Sequence, residues 1–380
     1  MQKLNLNPWQ VRQTSAEIDL GKIKKNFLTL KKWMPRIGLT AVIKSDAYGH
    51  GALPVAQALN SLPVVDRPHA FAVANVEEGI ELRRAGILGR IYILSGIQFF
   101  NEEMLHYLES CDLIPVISSF EVLQQLGRVL KKKESTLLVH LKFNAGMNRL
   151  GIDPEDVVRT LKLLKNNPRI LLEGIMSHFA AAENPLFAHT KSQVNYFSQL
   201  KQRFIKDGFS LKYVHMENSA GYQHRLFPEG NMARIGLHLY GLGNPRLSAA
   251  LQWRAQVYQV REVLKDSYVG YGPRYRAKKR IKIAVLGVGY ADGFKRAFSN
   301  QADVLIGGVR CPVVGTVSMD LTAVDISRAP IGKHISHAVL IGADGKDKIT
   351  AEELAKISDT IPYEIVTGIS QRVPRTYIND

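Results

Sequence analysis

The sequence predicts a (β/α)₈ barrel followed by a smaller, mainly β domain. Over residues 14–245, eight candidate strands alternate with helical stretches, which is the number of repeats in such a barrel. The motif G-x-G-x-x-G does not follow the first strand, so an open doubly wound sheet is the weaker alternative. After Pro245 the apolar residues alternate with polar or small ones, which indicates a separate β domain over residues 246–380.

The strands of the barrel are predicted from short apolar runs. A mixed polar and apolar segment from Trp9 to Leu20 indicates a short strand before the barrel, and residues 1–13 are expected to join the β domain. The helix after it has one apolar face, made by Ile23, Phe27, Leu30 and Met34. The eight predicted barrel strands are Gly38–Lys44, Ala70–Ala74, Ile91–Leu94, Leu113–Ile117, Thr136–Phe143, Ile170–Ser177, Tyr213–Met216 and Met232–Leu239.

Helix starts in the barrel are marked by capping boxes. Asn75 with Glu78, and Ser118 with Glu121, have the spacing in which the two side chains satisfy each other's backbone N–H groups. Gly86 is expected to end the first of these helices. In the β domain, a hairpin is predicted around Gly307-Gly308, a strand over Ala338–Ile341, and a helix over Thr350–Ile357 capped by Thr350.

Composition restricts the class of protein. The 380 residues are 46% hydrophobic and 22% charged, which is typical of a globular chain. We find no apolar run long enough to cross a bilayer and no signal peptide, so a cytoplasmic protein without a membrane partner is expected. Cys111 and Cys311 have no metal-ligand or redox spacing, so we expect buried thiols and no metal.

The chain is strongly basic, with a formal net charge of +16. Lys131–Lys133 and Lys278–Arg280 are the densest basic runs, and nucleic acid is the alternative partner that they suggest. Stacking aromatic residues do not interleave with either run, and no DNA-binding motif is legible. We therefore interpret the charge as a solvated surface and expect no nucleic acid partner.

The strand that ends at Lys44 carries the first chemical signal. It continues as Ser45-Asp-Ala-Tyr48-Gly-His-Gly51, so a buried strand delivers an amine to a turn rich in glycine. Burial lowers the pKa of a lysine, and the neutral amine is the form that makes a Schiff base with a carbonyl compound. The alternative is a structural lysine whose amine reaches water from the end of a core strand.

Other polar residues follow the remaining strands, at the end of a barrel where active sites form. They are Lys142, His178, His215, Asn218, Ser219 and Arg234. The segments Asn218–Gly221 and Ile235–Leu237 offer a hydroxyl and backbone N–H groups to a phosphate, or else they are an ordinary turn and helix start. Arg234 is either a site residue or a salt-bridged surface residue.

Several stretches resemble alanine racemases, in order along nearly the whole chain from Ala16–Leu20 to Arg372–Tyr377. The segment around Lys44 resembles A-V-V-K-A-N-A-Y-G-H-G, with Ser45 and Asp46 replacing Ala and Asn. Other matching segments are Val139–Gly151, Met176–Ala180, His215–Ser219, Arg234–Gly236, Val269–Gly272, Gly315–Asp320 and Ile361–Glu364. The resemblance implies a barrel enzyme that holds pyridoxal 5'-phosphate (PLP) on Lys44.

The resemblance also implies roles around the cofactor. Tyr48, Ser219, Gly236, Leu237 and Tyr363 would contact the phosphate, and Asn218 belongs to the same segment. Arg234 would face the ring nitrogen, where an arginine leaves that nitrogen unprotonated and the cofactor a weaker electron sink than a carboxylate would. Arg149 would bind the phenolic oxygen and the substrate, and Lys142 would carry a carbamate. Asn144 and Ala145 replace the usual Asp and Thr beside it.

Racemisation needs an acid/base group on each face of the α-carbon, and Lys44 can serve only one. By the resemblance, the second base is Tyr271, helped by His178, and Met319 binds the substrate carboxylate. Tyr271 and Met319 would reach the site from the partner in a head-to-tail homodimer, with Tyr290 and Tyr363 narrowing the entrance. Thr316 stands where arginine is common. Without the resemblance, Tyr271 is a packed interface tyrosine.

The implied activity is the reversible interconversion of L- and D-alanine, which supplies D-alanine for peptidoglycan. A racemase of broader specificity and a PLP-dependent amino-acid decarboxylase on the same scaffold are the alternatives among enzymes. The decarboxylase would show an E-P-G-R-like stretch and an acidic partner for the ring nitrogen, whereas this chain has Arg234. A non-catalytic PLP-binding protein is the alternative from another class. Such a protein would not need the β domain with Tyr271 and Met319, which argues against it.

Overall fold

The structure is a computed structural model that describes residues 14–95, 97–330 and 336–380. The chain forms two compact units. Of the described residues, the barrel unit comprises 27–47, 55–95 and 97–239, and the β unit comprises 14–26, 48–54, 240–330 and 336–380. The strand expected over residues 1–13 lies outside the described residues.

The chain begins with β1 (Ser15–Asp19) and α1 (Leu20–Trp33), followed by the eight strands of the barrel. These are β2 (Gly38–Val42), β3 (Ala70–Val73), β4 (Arg90–Ile93), β5 (Ile114–Ile117), β6 (Leu137–Lys142), β7 (Ile170–Met176), β8 (Tyr213–His215) and β9 (Met232–Ile235). Neighbouring strands pair in parallel in the order β8-β7-β6-β5-β4-β3-β2-β9. Between β8 and β9, Asn231 bridges the gap, since its N–H donates to Val214 O and its side chain accepts from Val214 N. The predicted barrel is confirmed.

The connecting segments of the barrel are helical. They are α2 (Lys44–Gly49), α3 (Ala52–Asn60), α4 (Val76–Arg84), α5 (Glu102–Ser110), α6 (Phe120–Lys133), α7 (Val157–Lys165), α8 (Ala188–Lys206) and α9 (Ser219–His224). Residues 237–240 form a 3₁₀ turn, so the strand predicted as Met232–Leu239 ends earlier, at Ile235. The strand predicted to reach Lys44 likewise ends at Val42, because the chain turns at Lys44.

Of the two predicted capping boxes, the one at Asn75 has the predicted cap but not the reciprocal bond from Glu78. The one at Ser118 is wrong by one residue. Asn75 caps α4 by accepting from Glu78 N at 3.2 Å, but the Glu78 carboxylate bonds to Ala74 N and Ser45 N instead of returning to Asn75. The cap of α6 is Ser119, whose hydroxyl accepts from Val122 N at 3.2 Å. Gly86 has φ of +79° just beyond α4, as predicted for the residue that ends this helix.

The β unit is built on a second sheet in the order β13-β12-β15-β10-β1-β17, with β11, β14 and β16 attached at its side. Residues 15–19, within the range expected for the barrel, form β1 of this sheet. The later elements are β10 (Leu251–Val263), β11 (Ile281–Leu286), β12 (Asp303–Ile306), β13 (Val309–Pro312), β14 (Thr322–Asp325), β15 (His337–Asp344), β16 (Asp347–Ile349), α10 (Ala351–Ile357), α11 (Pro362–Thr367) and β17 (Arg375–Ile378). The sequence missed the long β10 and the short α11.

The predicted features of the β unit are present. β12 and β13 form the hairpin, with both Gly307 and Gly308 at positive φ as its tight turn requires. Thr350 caps α10 by accepting from Glu353 N at 3.1 Å. Cys311 is buried, whereas Cys111 is only half-buried, and both thiols are free. Within the described ranges, no helix is both long and apolar enough to span a membrane.

Candidate active site

Lys44 lies at the carboxyl end of β2, where the chain enters an unusual turn. Ser45, Asp46, Ala47 and Tyr48 all have φ between 51° and 57°, so α2 is a left-handed turn made without glycine until its end. Each such residue costs about 1–2 kcal/mol relative to the right-handed form. Backbone strain of this kind is typical of functional sites, because the rest of the fold must hold it in place.

One carboxylate holds the start of this turn. Glu78 accepts a hydrogen bond of 2.6 Å from Ser45 N and another of 2.6 Å from Ala74 N, so it ties the residue after Lys44 to the end of β3. Burial lowers the pKa of Lys44, Arg149 lowers it further, and Glu78 partly offsets this. The amine is therefore more easily neutral than that of a surface lysine.

Lys44 belongs to a cluster of four cationic side chains in the barrel unit, with Lys142, Arg149 and Arg234. Lys142 is 6% exposed, and burial together with Arg234 and Arg149 lowers its pKa to about 8. Within the part of the chain that is described, Lys142 forms no ion pair with a carboxylate. Arg149 is exposed on the loop after β6. Glu78 and Glu217 offset these four cations only in part, so the cluster is suited to an anionic ligand.

Arg234, on β9, is held rigidly. It is 4% exposed, and its guanidinium donates to Ser177 O at 2.8 Å and to Met216 O at 3.1 Å. It also donates to His215 Nδ1 at 2.7 Å and to His178 Nδ1 at 3.1 Å. Burial lowers its pKa to about 10, which still leaves it a cation at neutral pH. The alternative of a salt-bridged surface arginine is excluded.

The protonation of both histidines follows from these contacts, because a guanidinium can only donate. His178 and His215 must each accept at Nδ1, so a neutral ring carries its proton on Nε2. Burial, reinforced by Arg234, holds the pKa of both imidazoles well below the usual value. His178 thus has an Nε2–H group that is available to donate to a ligand.

Ser219 and the segment after β9 form a small cradle of donors. The Ser219 hydroxyl accepts from Gly236 N at 3.1 Å and from His238 N at 3.4 Å, which places Gly236 and Leu237 beside the start of α9. Asn218 caps that helix by accepting from Gly221 N at 2.9 Å. Ser219 is buried and bonded to the segment after β9, so this is not the ordinary exposed turn that the sequence also allowed.

The loop after β6 is organised by Asn144. Its side-chain oxygen accepts from Gly146 N and Asn148 N, and its NH₂ group donates to Asn148 Oδ1 at 2.9 Å and to Asp153 Oδ1 at 2.8 Å. A carboxylate at this position would accept the same backbone bonds but would repel Asp153. Asn144, which stands where the resembled motif has Asp, is therefore compatible with Asp153 beside it. The loop that carries Arg149 keeps its hydrogen bonds with this residue.

Three loops of the β unit bring the remaining predicted residues together. Thr316 is buried, and its hydroxyl donates to Tyr271 O at 2.8 Å. Tyr290 N donates to Ser318 O and Ala291 N donates to Met319 O, each at 3.0 Å. The backbones meet so closely that a Cβ on Gly289 would lie 2.3 Å from Met319 O. The side chains of Tyr271 and Met319 are 73% and 53% exposed.

Tyr48 and Tyr363 also lie in the β unit. Their ring centroids are 5.6 Å apart, and Tyr48 stands 5.1 Å from the ring of Tyr240. Burial and the neighbouring Tyr363 raise the pKa of Tyr48, which keeps its hydroxyl protonated as a donor. The sequence indicated no functional role for two residues that matter for the site's geometry. Glu78 was predicted only as part of a capping box, and Thr316 was noted only because it stands where arginine is common.

The fold and these contacts define an enzyme of the barrel class, with a lysine of lowered pKa in a cationic cluster and with a cradle of backbone N–H groups at Ser219. The profile of the alanine racemase N-terminal domain matches residues 18–245, and that of the C-terminal domain matches residues 250–377. The chain belongs to the alanine racemase family.

Individual relatives agree with this. The alanine racemase of Halothermothrix orenii is 37% identical over 98% of this chain and 99% of its own. The crystal structure of alanine racemase from a D-cycloserine-producing Streptomyces lavendulae has a TM-score of 0.89 at 29% identity, over 97% of this chain and 98% of that one. That of Bartonella henselae, with covalently bound pyridoxal phosphate, has a TM-score of 0.85 at 26% identity, over 96% and 99%.

Proposed function

We propose that this protein interconverts L- and D-alanine, with PLP attached to Lys44 and with Lys44 and Tyr271 as the two bases. The observation that carries the proposal is the buried, hydrogen-bonded Arg234 in a cationic cluster with Lys44, Lys142 and Arg149. An arginine that cannot give up its proton suits a reaction in which one proton leaves the α-carbon and one returns.

The residues present fit PLP. Its phosphate matches the cradle of Ser219, Gly236 and Leu237, in which backbone N–H groups already converge on one hydroxyl. Tyr48 and Tyr363 are the further phosphate donors that we propose. Its phenolic oxygen matches the exposed Arg149, and its carbonyl carbon needs the neutral amine that the lowered pKa of Lys44 provides.

When bound, PLP withdraws electrons from the α-carbon of an amino acid and so makes its proton acidic. Tyr271, as the phenolate, would then take the α-proton of L-alanine on one face, and Lys44, in its ammonium form, would give a proton to the other. The two residues exchange these tasks in the reverse direction. Met319 binds the substrate carboxylate through its backbone N–H, and Arg149 assists it.

His178 is proposed to lower the pKa of Tyr271, so that Tyr271 can act as a base. A free phenol has a pKa of about 10 and is a poor base at neutral pH. Because Arg234 occupies His178 Nδ1, the ring can donate from Nε2 to the phenolate and stabilise it. The positive charges of the pocket act in the same direction.

Lys142 is proposed to carry a carbamate. At a pKa of about 8 a useful fraction of its amine is neutral; the nitrogen adds to the carbon of CO₂ and releases one proton, which leaves an anion. That anion offsets the cations around it and can hold Arg149 in position. Protein prepared in ¹³C-bicarbonate should show a carbamate resonance that is lost in Lys142→Ala and kept in Lys44→Ala.

Tyr271 and Met319 are proposed to act in the partner subunit's site of a head-to-tail homodimer. Tyr271 and Met319 are among several large apolar side chains that the β unit exposes, as a partner surface would: Tyr258, Val260, Leu264, Tyr268, Tyr271, Tyr290, Met319 and Leu321. We propose a cytoplasmic enzyme whose D-alanine supplies peptidoglycan, which rests on family membership. Growth of a deletion strain only with added D-alanine would support that role.

The decisive experiment is incubation of the protein with PLP and L-alanine in heavy water, followed by NMR of the α-carbon and chiral separation. The expected product is α-deuterated D-alanine, with Lys44→Ala as the inactive control. Loss of the carboxyl group would instead mean a decarboxylase, and an unchanged α-proton despite bound PLP would mean a binding protein. Parallel runs with serine and larger amino acids separate an alanine racemase from one of broad specificity.

A further inference from the structure

A chain of buried polar side chains runs through the inside of the barrel from Arg234 to Glu173. Arg234 contacts His215 Nδ1 at 2.7 Å, His215 Nε2 contacts His140 Nδ1 at 2.9 Å, and His140 Nε2 contacts Glu173 Oε2 at 3.3 Å. All four side chains are at most 5% exposed. The chain joins the carboxyl ends of the strands to the opposite half of the barrel.

The direction of every hydrogen bond in this chain is fixed by its two ends. Arg234 can only donate, so His215 accepts at Nδ1 and, as a neutral ring, donates from Nε2. His140 then accepts at Nδ1 and donates from its own Nε2 to Glu173. Burial lowers the pKa of both imidazoles, so each carries one proton and the order holds.

Glu173 is a suitable end for such a chain. Its other oxygen, Oε1, accepts from Arg90 at 2.8 Å and from Lys212 at 3.3 Å. Burial alone would raise its pKa, but the hydrogen bonds from His140 and Arg90 lower it to about 2. Glu173 is therefore an anion that accepts on both oxygens at every physiological pH.

The surroundings keep water away from the two imidazoles. The Tyr92 ring centroid lies 4.6 Å from that of His140, and the Tyr213 ring is stacked on His140 at 6.0 Å and 20°. Arg90 and Lys212 lie over the Tyr213 ring. Without competing water, the protein groups alone decide which ring nitrogen is protonated.

We propose that Glu173 is a positioning residue that fixes both histidine tautomers and thereby holds the Arg234 guanidinium in the orientation that the reaction needs. No carboxylate in the described part of the chain pairs directly with Arg234. Glu217 acts on it only through space, and the two imidazoles link it to the buried anion Glu173. Within the described residues its side-chain hydrogen bonds all come from the two terminal nitrogens, so the Nε–H remains for a ligand. This inference rests on the proposed function only for the identity of that ligand.

Replacing Glu173 with Gln keeps the shape but supplies one acceptor atom instead of two. The two cations, Arg90 and Lys212, take the amide oxygen because charge-assisted bonds are stronger, and the NH₂ group then faces His140. His140 must then accept at Nε2 and carry its proton on Nδ1. His140 Nδ1–H donates to His215 Nε2, so His215 must carry its own proton on Nδ1 as well. The Nδ1–H of His215 would then face the Arg234 donor at 2.7 Å, and that contact must break.

The test is ¹⁵N NMR of histidine-labelled, cofactor-free protein, with the rings assigned from His140→Gln and His215→Gln. In the parent protein both rings should be neutral with the proton on Nε2; a proton on Nδ1 of either ring overturns the proposal without any variant. In Glu173→Gln both should change to Nδ1–H. Retention of Nε2–H in a folded Glu173→Gln protein also overturns it.

Lys212→Gln is the matched control, since it removes a contact of Glu173 but leaves the chain intact, and its tautomers should be unchanged. In the loaded enzyme, Glu173→Gln should lower kcat about tenfold or more with a smaller change in KM, because Arg234 orients the cofactor rather than the substrate. The tautomers are read without PLP, so a failure of the proposed activity leaves this test valid.

Discussion

At the scale of single residues, the site depends on how burial and neighbouring cations change protonation. Lys44 and Lys142 lose protons more easily than free lysines, His178 and His215 stay neutral, and Arg234 stays charged. These states are what a two-base reaction needs: a nucleophilic amine, a neutral imidazole that donates, and a fixed cation.

Tyr271→Phe should affect the two directions of proton exchange unequally. Loss of the phenol should slow exchange of the α-proton of L-alanine by roughly 10²- to 10⁴-fold, while Lys44 still exchanges the α-proton of D-alanine. The measurement is deuterium uptake into each enantiomer, with Tyr268→Phe as the control for an exposed tyrosine nearby. Full exchange from L-alanine in Tyr271→Phe would reject Tyr271 as the base.

Glu217 should make stability depend on pH. Burial raises its pKa to about 7, although the Phe227 N–H that it accepts partly offsets this. The folded state therefore binds more protons than the unfolded chain between about pH 4.5 and 7, and this stabilising contribution is lost as the pH rises through 7.

Glu217→Gln should leave stability unchanged near pH 4 and increase it by about 1–3 kcal/mol at pH 8. Denaturant unfolding of both proteins across this range measures it. A variant that is destabilised at pH 8 but unchanged at pH 4 would show that the carboxylate is needed in its charged form.

At the scale of secondary structure, the left-handed turn α2 is the element that the rest of the barrel must restrain. Glu78, which lies on α4, offsets the strain of this turn by accepting two hydrogen bonds. The Ala47 N–H adds a third by donating to Ile43 O at 2.9 Å. The loop that carries Tyr271 is restrained in the same manner by Thr316. In both places a side chain from another element fixes the backbone beside one of the two proposed bases.

Glu78→Ala should therefore loosen the start of α2. We expect a loss of about 1–2 kcal/mol in the free energy of unfolding, faster amide exchange at Ser45 and Ala74, and a lower kcat. The pKa of Lys44 should fall further, since Glu78 raises it. Glu77→Ala, on the same helix, is the control. If amide exchange at Ser45 is equally fast in Glu77→Ala and Glu78→Ala, the Glu78 carboxylate is not what restrains the start of α2.

At the scale of the whole molecule, the proposed residues divide between the two units. Lys44, Lys142, Arg149, His178 and Arg234 lie in the barrel unit, and Tyr48, Tyr271, Met319 and Tyr363 lie in the β unit. In the proposed head-to-tail dimer, each site takes Lys44 from one subunit and Tyr271 from its partner. Activity then depends on assembly as well as on folding.

Subunit mixing tests this directly. Lys44→Ala and Tyr271→Phe proteins should each be inactive in racemisation, and a dissociated and reassociated mixture should recover about one quarter of the parent activity, because half of the dimers are mixed and each mixed dimer has one intact site. Two copies of the same variant treated in this way are the control. No recovery in a mixture shown to exchange subunits would mean that Lys44 and Tyr271 act within one chain.

The sequence by itself determined the barrel, the change to a β domain and the residues at the strand ends, including Lys44 and Arg234. These signals are local, because apolar periodicity, turn glycines and motif spacing are written in neighbouring residues. The errors were local as well: Ser119 rather than Ser118 caps α6, and β9 ends four residues early because the segment up to Leu239 turns into a 3₁₀ helix.

Only the tertiary structure decided how those residues are held. It showed that Arg234 is buried, that Glu78 leaves its capping box to restrain Ser45, and that Thr316 holds the Tyr271 loop. The His140–Glu173 and His140–His215 contacts join residues 33 and 75 positions apart in the chain. No local pattern encodes such pairs, since their geometry exists only once the strands have closed around the barrel interior.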